Sequence, residues 1–241
     1  MSAAPDSVPR MDVLLIPGLW LDASSWEDVL PSLRAEGLRA RPLTMPGVGR
    51  PGAESADVGI SDWVDSVVAE IDRADGEVVV VGHSGGGNVA WGAVDRRPDR
   101  VARVILVDTI PPFPGADISE FPVVDGVVPF PGWDFFDTND TFDLDEATRR
   151  RTLPLTRSVP GRVPTDPIEL RDVRRFGVPT TLLMGSLDEP TFRRLVAGWG
   201  PHGDEFAAIE DAEVVKLGTA HWPQFSAPDR LGAAIVDAIA R

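Results

Sequence analysis

The sequence predicts an α/β fold built on a parallel sheet, and three observations carry that expectation. Strand-like and helix-like segments alternate along the chain. The most apolar strand candidates, residues 12–17 (DVLLIP) and 77–81 (EVVVV), are continuous runs rather than alternating ones, as in strands buried on both faces. The stretches between strands carry helical spacing and helix punctuation, which crossovers between parallel strands require.

Taken in order, residues 12–17 read as the first strand. Ser24 and Ser25 then offer an N-cap, with Glu27 and Asp28 in the first turn. Trp26, Val29, Leu30 and Leu33 follow at helical spacing, and Gly37 ends the helix. Residues 38–45 read as a strand, and a Gly- and Pro-rich loop fills residues 46–59. Ser61 is the expected cap of a helix with Val64, Val67, Val68 and Ile71 on one face. After the run at 77–81, residues 84–97 suit a helix stopped by Pro98. Residues 101–107, 178–184 and 213–217 are further strands. A last helix is expected from a cap at Ser226, with Leu231, Ile235 and Ile239 four apart. These make six strands in one domain, covered by helices on both faces, with right-handed crossovers.

One stretch breaks the rhythm. Residues 110–175 are rich in Pro, Gly, Asp and Phe, and only 145–152 looks helical. So long an irregular insertion in a compact domain usually serves a site. The core is therefore expected as 1–109 and 176–241, with 110–175 as a cap. Phe113, Phe121, Phe130, Trp133, Phe135, Phe136 and Phe142 either line a pocket for an apolar substrate or anchor the cap.

The bulk composition narrows the function. The 241 residues suffice for one full hydrophobic core, with 43% hydrophobic and 25% charged residues. A net charge of −15 repels nucleic-acid phosphates and anionic headgroups, so neither nucleic acid nor membrane is expected as a partner. The expected partner is a small acyl substrate; no surface patch that would set an oligomeric state is legible. There is no cysteine, which removes disulfides, thiolate metal sites and a cysteine nucleophile. No His or His/carboxylate pair has ligand spacing, and neither metal nor cofactor is expected. Residues 1–10 lack the basic start and apolar core of a signal peptide, and no apolar run is long enough to span a bilayer; a cytoplasmic protein is expected.

The chemistry centres on Gly82-His83-Ser84-Gly85-Gly86, a G-x-S-x-G sequence between the most apolar strand and a helix. In that context the serine oxygen stands at the carboxyl edge of the sheet, and the helix N-terminus favours an oxyanion. A serine needs a base, and the chain has three histidines. His83 lies inside the turn, with its side chain directed inward. His202, after Gly200-Pro201, reads as a surface-loop residue. His221, in the loop after the last strand, is the expected base. Asp188, beyond strand 178–184, is the expected acid, and Asp108, at the end of strand 101–107, is the alternative. The oxyanion donors are expected to be the N–H of Gly85 and of Leu19, or alternatively Trp20. Trp20, Trp133, Phe136 and Trp222 are the candidate pocket residues.

With Ser84, Asp188 and His221 each following a strand in that order, the chain resembles the α/β-hydrolase superfamily from about residue 12 onward. Pro17-Gly18, Pro46-Gly47-Val48-Gly49, the serine turn, Gly185…Asp188 and His221-Trp222-Pro223 carry the resemblance. It is most similar to small esterases of the methylesterase and hydroxynitrile-lyase branch. The family commonly has His-Gly where this chain has Pro17-Gly18, and often an aspartate at the position of Thr44. The resemblance implies an α/β-hydrolase fold, a sheet lacking the family's first two strands, and a serine hydrolase acting on a carboxylic ester, thioester or lactone. It also admits a lyase-type reaction at the same triad. Two other readings are weaker. Gly85-x-Gly87-x-x-Ala90, with Asp108 closing the next strand, spells a dinucleotide fingerprint, but without the preceding context. A non-catalytic receptor on the fold would have no use for an intact triad.

Overall fold

The structure is a computed structural model and describes residues 11–241. Residues 1–10, read above as lacking a signal peptide, lie outside it. The first half of the chain forms β1 (Asp12–Ile16), β2 (Arg39–Pro42), β3 (Val78–His83) and β4 (Val101–Val107). Between them run α1 (Leu30–Ala35), α2 (Gly52–Ser55), α3 (Ile60–Arg73) and α4 (Gly85–Arg96). The insertion holds β5 (Val127–Val128) and β6 (Val159–Pro160), which pair antiparallel, and α5 (Thr138–Thr141) and α6 (Glu146–Thr152). Then follow β7 (Thr180–Met184), α7 (Glu189–Val196), α8 (Pro201–Ala207), β8 (Ala212–Lys216), α9 (Pro223–Ser226) and α10 (Pro228–Ile239).

Six strands make one parallel sheet in the order β2-β1-β3-β4-β7-β8. The chain steps outward from β1 to β2 and then crosses back to β3, so a switch point lies between β1 and β3. Crevices for ligands open at the carboxyl ends of strands at such points. The unbroken apolar runs have the expected consequence. Successive side chains alternate between faces, so Val13, Leu15, Val79, Val81, Ile105 and Val107 pack on one side with α1 and α10 residues Leu33, Leu231 and Ile235. Leu14, Ile16, Val78, Val80, Val104 and Leu106 pack on the other with Trp63, Val67, Val89 and Trp91 of α3 and α4. No helix among the described residues is long and apolar enough to cross a membrane.

Element ends differ from the sequence reading where caps compete. The first crossover opens as a 3₁₀ turn, Ala23–Trp26, capped by Asp22, whose carboxylate accepts the Ser24 N–H at 2.9 Å. α1 starts only at Leu30, where Pro31 fits the first turn. α3 is capped at Gly59 rather than Ser61, because the Asp62 carboxylate reaches back to the Gly59 N–H at 2.8 Å. The last helix opens at Pro228, and Ser226 instead ends the short α9. The sequence reading assigns no helix between residues 184 and 213, where α7 and α8 lie. A buried Arg175 fastens the end of the insertion to α4 and α8. Its guanidinium lies 3.3 Å from Asp95 and 2.7 Å from Glu205, and Glu205 also accepts the Trp91 indole N–H at 2.8 Å.

Candidate active site

Ser84 follows β3 and precedes α4 with φ 51° and ψ −128°. Few non-glycine residues hold a positive φ, and those that do cluster at functional positions. Among the described residues they are Trp20, Ser84, Asp108 and Asp125, of which three belong to this site. The sharp turn needs small neighbours. A Cβ on Gly86 would sit 2.3 Å from the Pro17 carbonyl oxygen, and one on Gly18 would sit 2.7 Å from His83 Nδ1. The loop after β1 can therefore lie directly against the serine turn.

Strand register decides which acid meets the base. His83 and Val107 are partners across β3 and β4. The next residue in each strand is then Ser84 and Asp108, side by side at the carboxyl edge. His221 reaches both from the loop after β8. Its Nε2 is 2.9 Å from Ser84 Oγ, and its Nδ1 is 2.6 Å from Asp108 Oδ2. Asp108 Oδ1 accepts the Gly185 N–H at 2.8 Å. Burial alone would raise the Asp108 carboxyl, but the hydrogen bond and charge of His221, with the Gly185 N–H, hold it below the ordinary carboxylate value. An ionised Asp108 accepts from Nδ1–H, which leaves Nε2 to accept the Ser84 hydroxyl proton.

The expected acid, Asp188, is elsewhere. It lies four residues past the end of β7, and β4 separates β7 from β3. Its carboxylate caps α7 by accepting the Thr191 N–H at 2.9 Å, which lowers its pKa. The expected surface-loop residue, His202, is in the first turn of α8, where Nδ1 lies 3.2 Å from the Pro111 carbonyl and the ring meets the edge of Phe113.

His83 points inward as expected. It is fully buried; Nε2–H donates to the His221 carbonyl at 2.7 Å, and Nδ1 accepts from Gln224 Nε2 at 3.2 Å. Burial, with the neighbouring His221, pushes its imidazole down to about 3, so it is neutral. It acts on His221 through the backbone. The insertion holds the other side of that loop. The His221 N–H donates to the Asp140 carbonyl at 3.1 Å, and the Ala220 N–H donates to Asp143 Oδ2 at 2.9 Å.

A cavity of about 210 Å³ opens over Ser84 and His221. Leu19, Trp20, Phe136 and Trp222 line it, as do Phe121, Ile118, Ser119 and Asp140 of the insertion. Trp20 packs edge-on to Phe121, Phe130 and Phe136 at 4.7–5.9 Å. Trp133, expected on the wall, is not there: it sits behind Trp222 and Phe225, with its indole N–H donating to the Arg149 carbonyl at 3.1 Å. Leu19 follows β1 against the serine turn. Gly85 opens α4, so its N–H has no acceptor within the helix. Ile118, Ser119 and Asp140 were invisible to sequence reading, because no local pattern in an irregular insertion marks which residues turn toward a distant serine.

The sequence profile of the alpha/beta hydrolase family matches residues 13–234. A pimeloyl-(acyl-carrier protein) methyl ester esterase of Aromatoleum aromaticum is 36% identical over 104 residues, covering 43% of this chain and 39% of that protein's length. A pyrethroid hydrolase of Sphingobium wenxiniae is 26% identical over 248 residues, covering 94% of this chain and 86% of that protein. Among solved structures, a methylesterase from Arabidopsis has the same fold, with a TM-score of 0.73 at 19% identity over 95% of this chain and 99% of that one. The resemblance to methylesterases and the six-stranded parallel sheet both agree with the sequence reading, and the chain belongs to the alpha/beta hydrolase family.

Proposed function

We propose that this protein is a serine hydrolase that cleaves a small carboxylic ester, thioester or lactone through an acyl-enzyme on Ser84. The observation that carries the reading is the chain Ser84–His221–Asp108, with contacts of 2.9 and 2.6 Å at a strained serine turn. Ester cleavage also appears in the names of relatives, one a methyl ester esterase and one a methylesterase.

Ser84 Oγ attacks the carbonyl carbon while His221 Nε2 takes the hydroxyl proton. The oxyanion is received by the N–H groups of Gly85 and Leu19. Asp108, in place of the expected Asp188, holds Nδ1–H and stabilises the imidazolium. His221 gives its proton to the leaving oxygen or sulfur, the C–O or C–S bond breaks, and the acyl group stays on Ser84. Water then attacks that ester, His221 takes its proton, and Ser84 departs with the proton returned. The lyase reading asks for a cationic or hydroxyl helper; among the described residues no Arg or Lys lines the cavity, and Ser119 is its one side-chain hydroxyl besides Ser84.

The test is labelling by a fluorophosphonate, followed by intact mass, on wild type and Ser84→Ala. One adduct on wild type and none on the variant is expected, with hydrolysis of short esters lost by about a millionfold, as in comparable serine enzymes. An unlabelled, well-folded wild type overturns the reading.

A further inference from the structure

One residue of the cavity does not suit an apolar substrate. Asp140 is the only carboxylate among the described residues that line it, and no Arg or Lys stands on the wall to neutralise it. Its side chain has no hydrogen-bond or salt-bridge partner among the described residues, unlike Asp108, which is used twice. Its position is fixed: its carbonyl accepts the His221 N–H at 3.1 Å, and its own N–H donates to the Asp137 carbonyl at 2.9 Å. The aromatic residues Trp20, Phe136 and Trp222 line the same cavity. Aromatic faces and a carboxylate both attract a cation, and neither attracts an anion. His221 must reach the leaving oxygen, and Asp140, bonded to the His221 backbone, lies on that side of the cavity.

We propose that Asp140 and the aromatic wall form a subsite for a cationic group, a quaternary or protonated amine, on the leaving alcohol of the substrate. This rests on the hydrolase reading for its catalytic consequence but not for binding. The selected substrate is a small ester of an amino alcohol, and an ester of equal shape without the charge is the poorer one.

The probes are an isosteric pair. Choline and 3,3-dimethyl-1-butanol differ only in nitrogen for carbon, and so do their acetate esters. Binding of the two alcohols to the wild-type protein, followed by tryptophan fluorescence, is expected to favour choline by about tenfold at low ionic strength. The kcat/KM ratio of the two acetates is expected to favour the choline ester by a similar factor. In Asp140→Asn, which keeps the backbone bond to His221, both preferences are expected to fall to within about threefold. Glu146→Gln removes the same charge from the exposed start of α6 and is expected to leave the preferences as in wild type. Equal binding of the two alcohols to wild type, or a preference that survives Asp140→Asn, overturns the proposal. A choline preference with no fluorophosphonate adduct on Ser84 keeps the subsite and overturns the hydrolase reading; an adduct without a choline preference does the reverse.

Discussion

Asp108 meets His221 because it is one residue past a strand partner of β3, whereas Asp188 lies beyond a strand one place further out. The consequence is measurable. Asp108→Asn removes the acceptor that fixes the imidazole tautomer, and kcat is expected to fall by about 10⁴-fold, with the fold retained. Asp188→Asn keeps a good N-cap residue on α7, and steady-state kinetics are expected to match wild type. If the two variants behave the other way round, the geometric assignment fails. His83 gives a second test at this scale. Its ring is neutral in the fold, with a pKa of about 3, but titrates near 6.5 in the unfolded chain. Between those values the unfolded state binds the extra proton, so the protein loses up to about 1.4 kcal/mol of stability per pH unit as pH falls from about 6.5. Urea denaturation of His83→Gln, compared with wild type at pH 7 and pH 5, is expected to show the shallower loss; parallel slopes would mean the ring is not held neutral. The meeting of Ser84 and His221 was legible in the sequence, one from its motif and one from its place after the last strand. The carboxylate that meets His221 was not, because choosing it requires strand order. Yet Asp188-Glu189-Pro190-Thr191 carries the mark of a helix start, an N-cap acid followed by proline, and that reading would have placed Asp188 at the cap of α7 rather than at His221.

At the scale of elements, the loop after β8 is held from two sides. His83 of β3 grips the His221 carbonyl, while Asp140 and Asp143, at the end of α5 and just beyond it, grip the N–H groups of His221 and Ala220. The insertion therefore positions His221 as well as roofing the cavity. Asp143→Ala leaves the buried Ala220 N–H without its partner, a loss of about 1–3 kcal/mol. A lower Tm is expected, with kcat reduced because the loop carries His221, and with KM raised as well because the adjacent Trp222 lines the cavity. Asp143→Asn keeps an acceptor oxygen and is expected to restore most of kcat; an alanine variant with unchanged kcat would show that the loop needs no tether. The sheet was readable because its strands are buried on both faces and so carry unbroken apolar runs. The insertion was readable only as an irregular stretch. Asp145 announces α6 through its own cap, accepting the Thr148 N–H at 2.7 Å, but α5 and the two-residue strands β5 and β6 are too short for any periodicity to show. Trp133 was misplaced for the same reason: an aromatic in such a stretch serves packing or pocket according to contacts made far away in sequence.

For the whole molecule, charge acts in the same direction as the cavity. The chain carries a net −15, and its cavity presents Asp140 with no Arg or Lys among the lining residues. A substrate bearing a carboxylate or phosphate meets repulsion first from the molecular field and then from the wall. These two contributions separate by their range. The field of exposed charges is screened over about 30 Å at 0.01 M salt and about 8 Å at 0.15 M, whereas a contact of a few ångströms with Asp140 is screened far less. 3-Acetoxypropanoate and propyl acetate offer similar acetate esters with and without a carboxylate on the leaving alcohol. At 0.01 M salt the anionic ester is expected to have the lower kcat/KM by about tenfold or more, chiefly through slower productive encounter. Raising the salt to 0.15 M is expected to recover part of that difference, and the part that persists belongs to the cavity wall. Asp140→Asn should reduce the persisting part and leave the salt-sensitive part nearly as it was, since one charge in fifteen changes the distant field little. Equal kcat/KM for the two esters at low salt would mean that neither the surface field nor Asp140 reaches the reacting carbonyl.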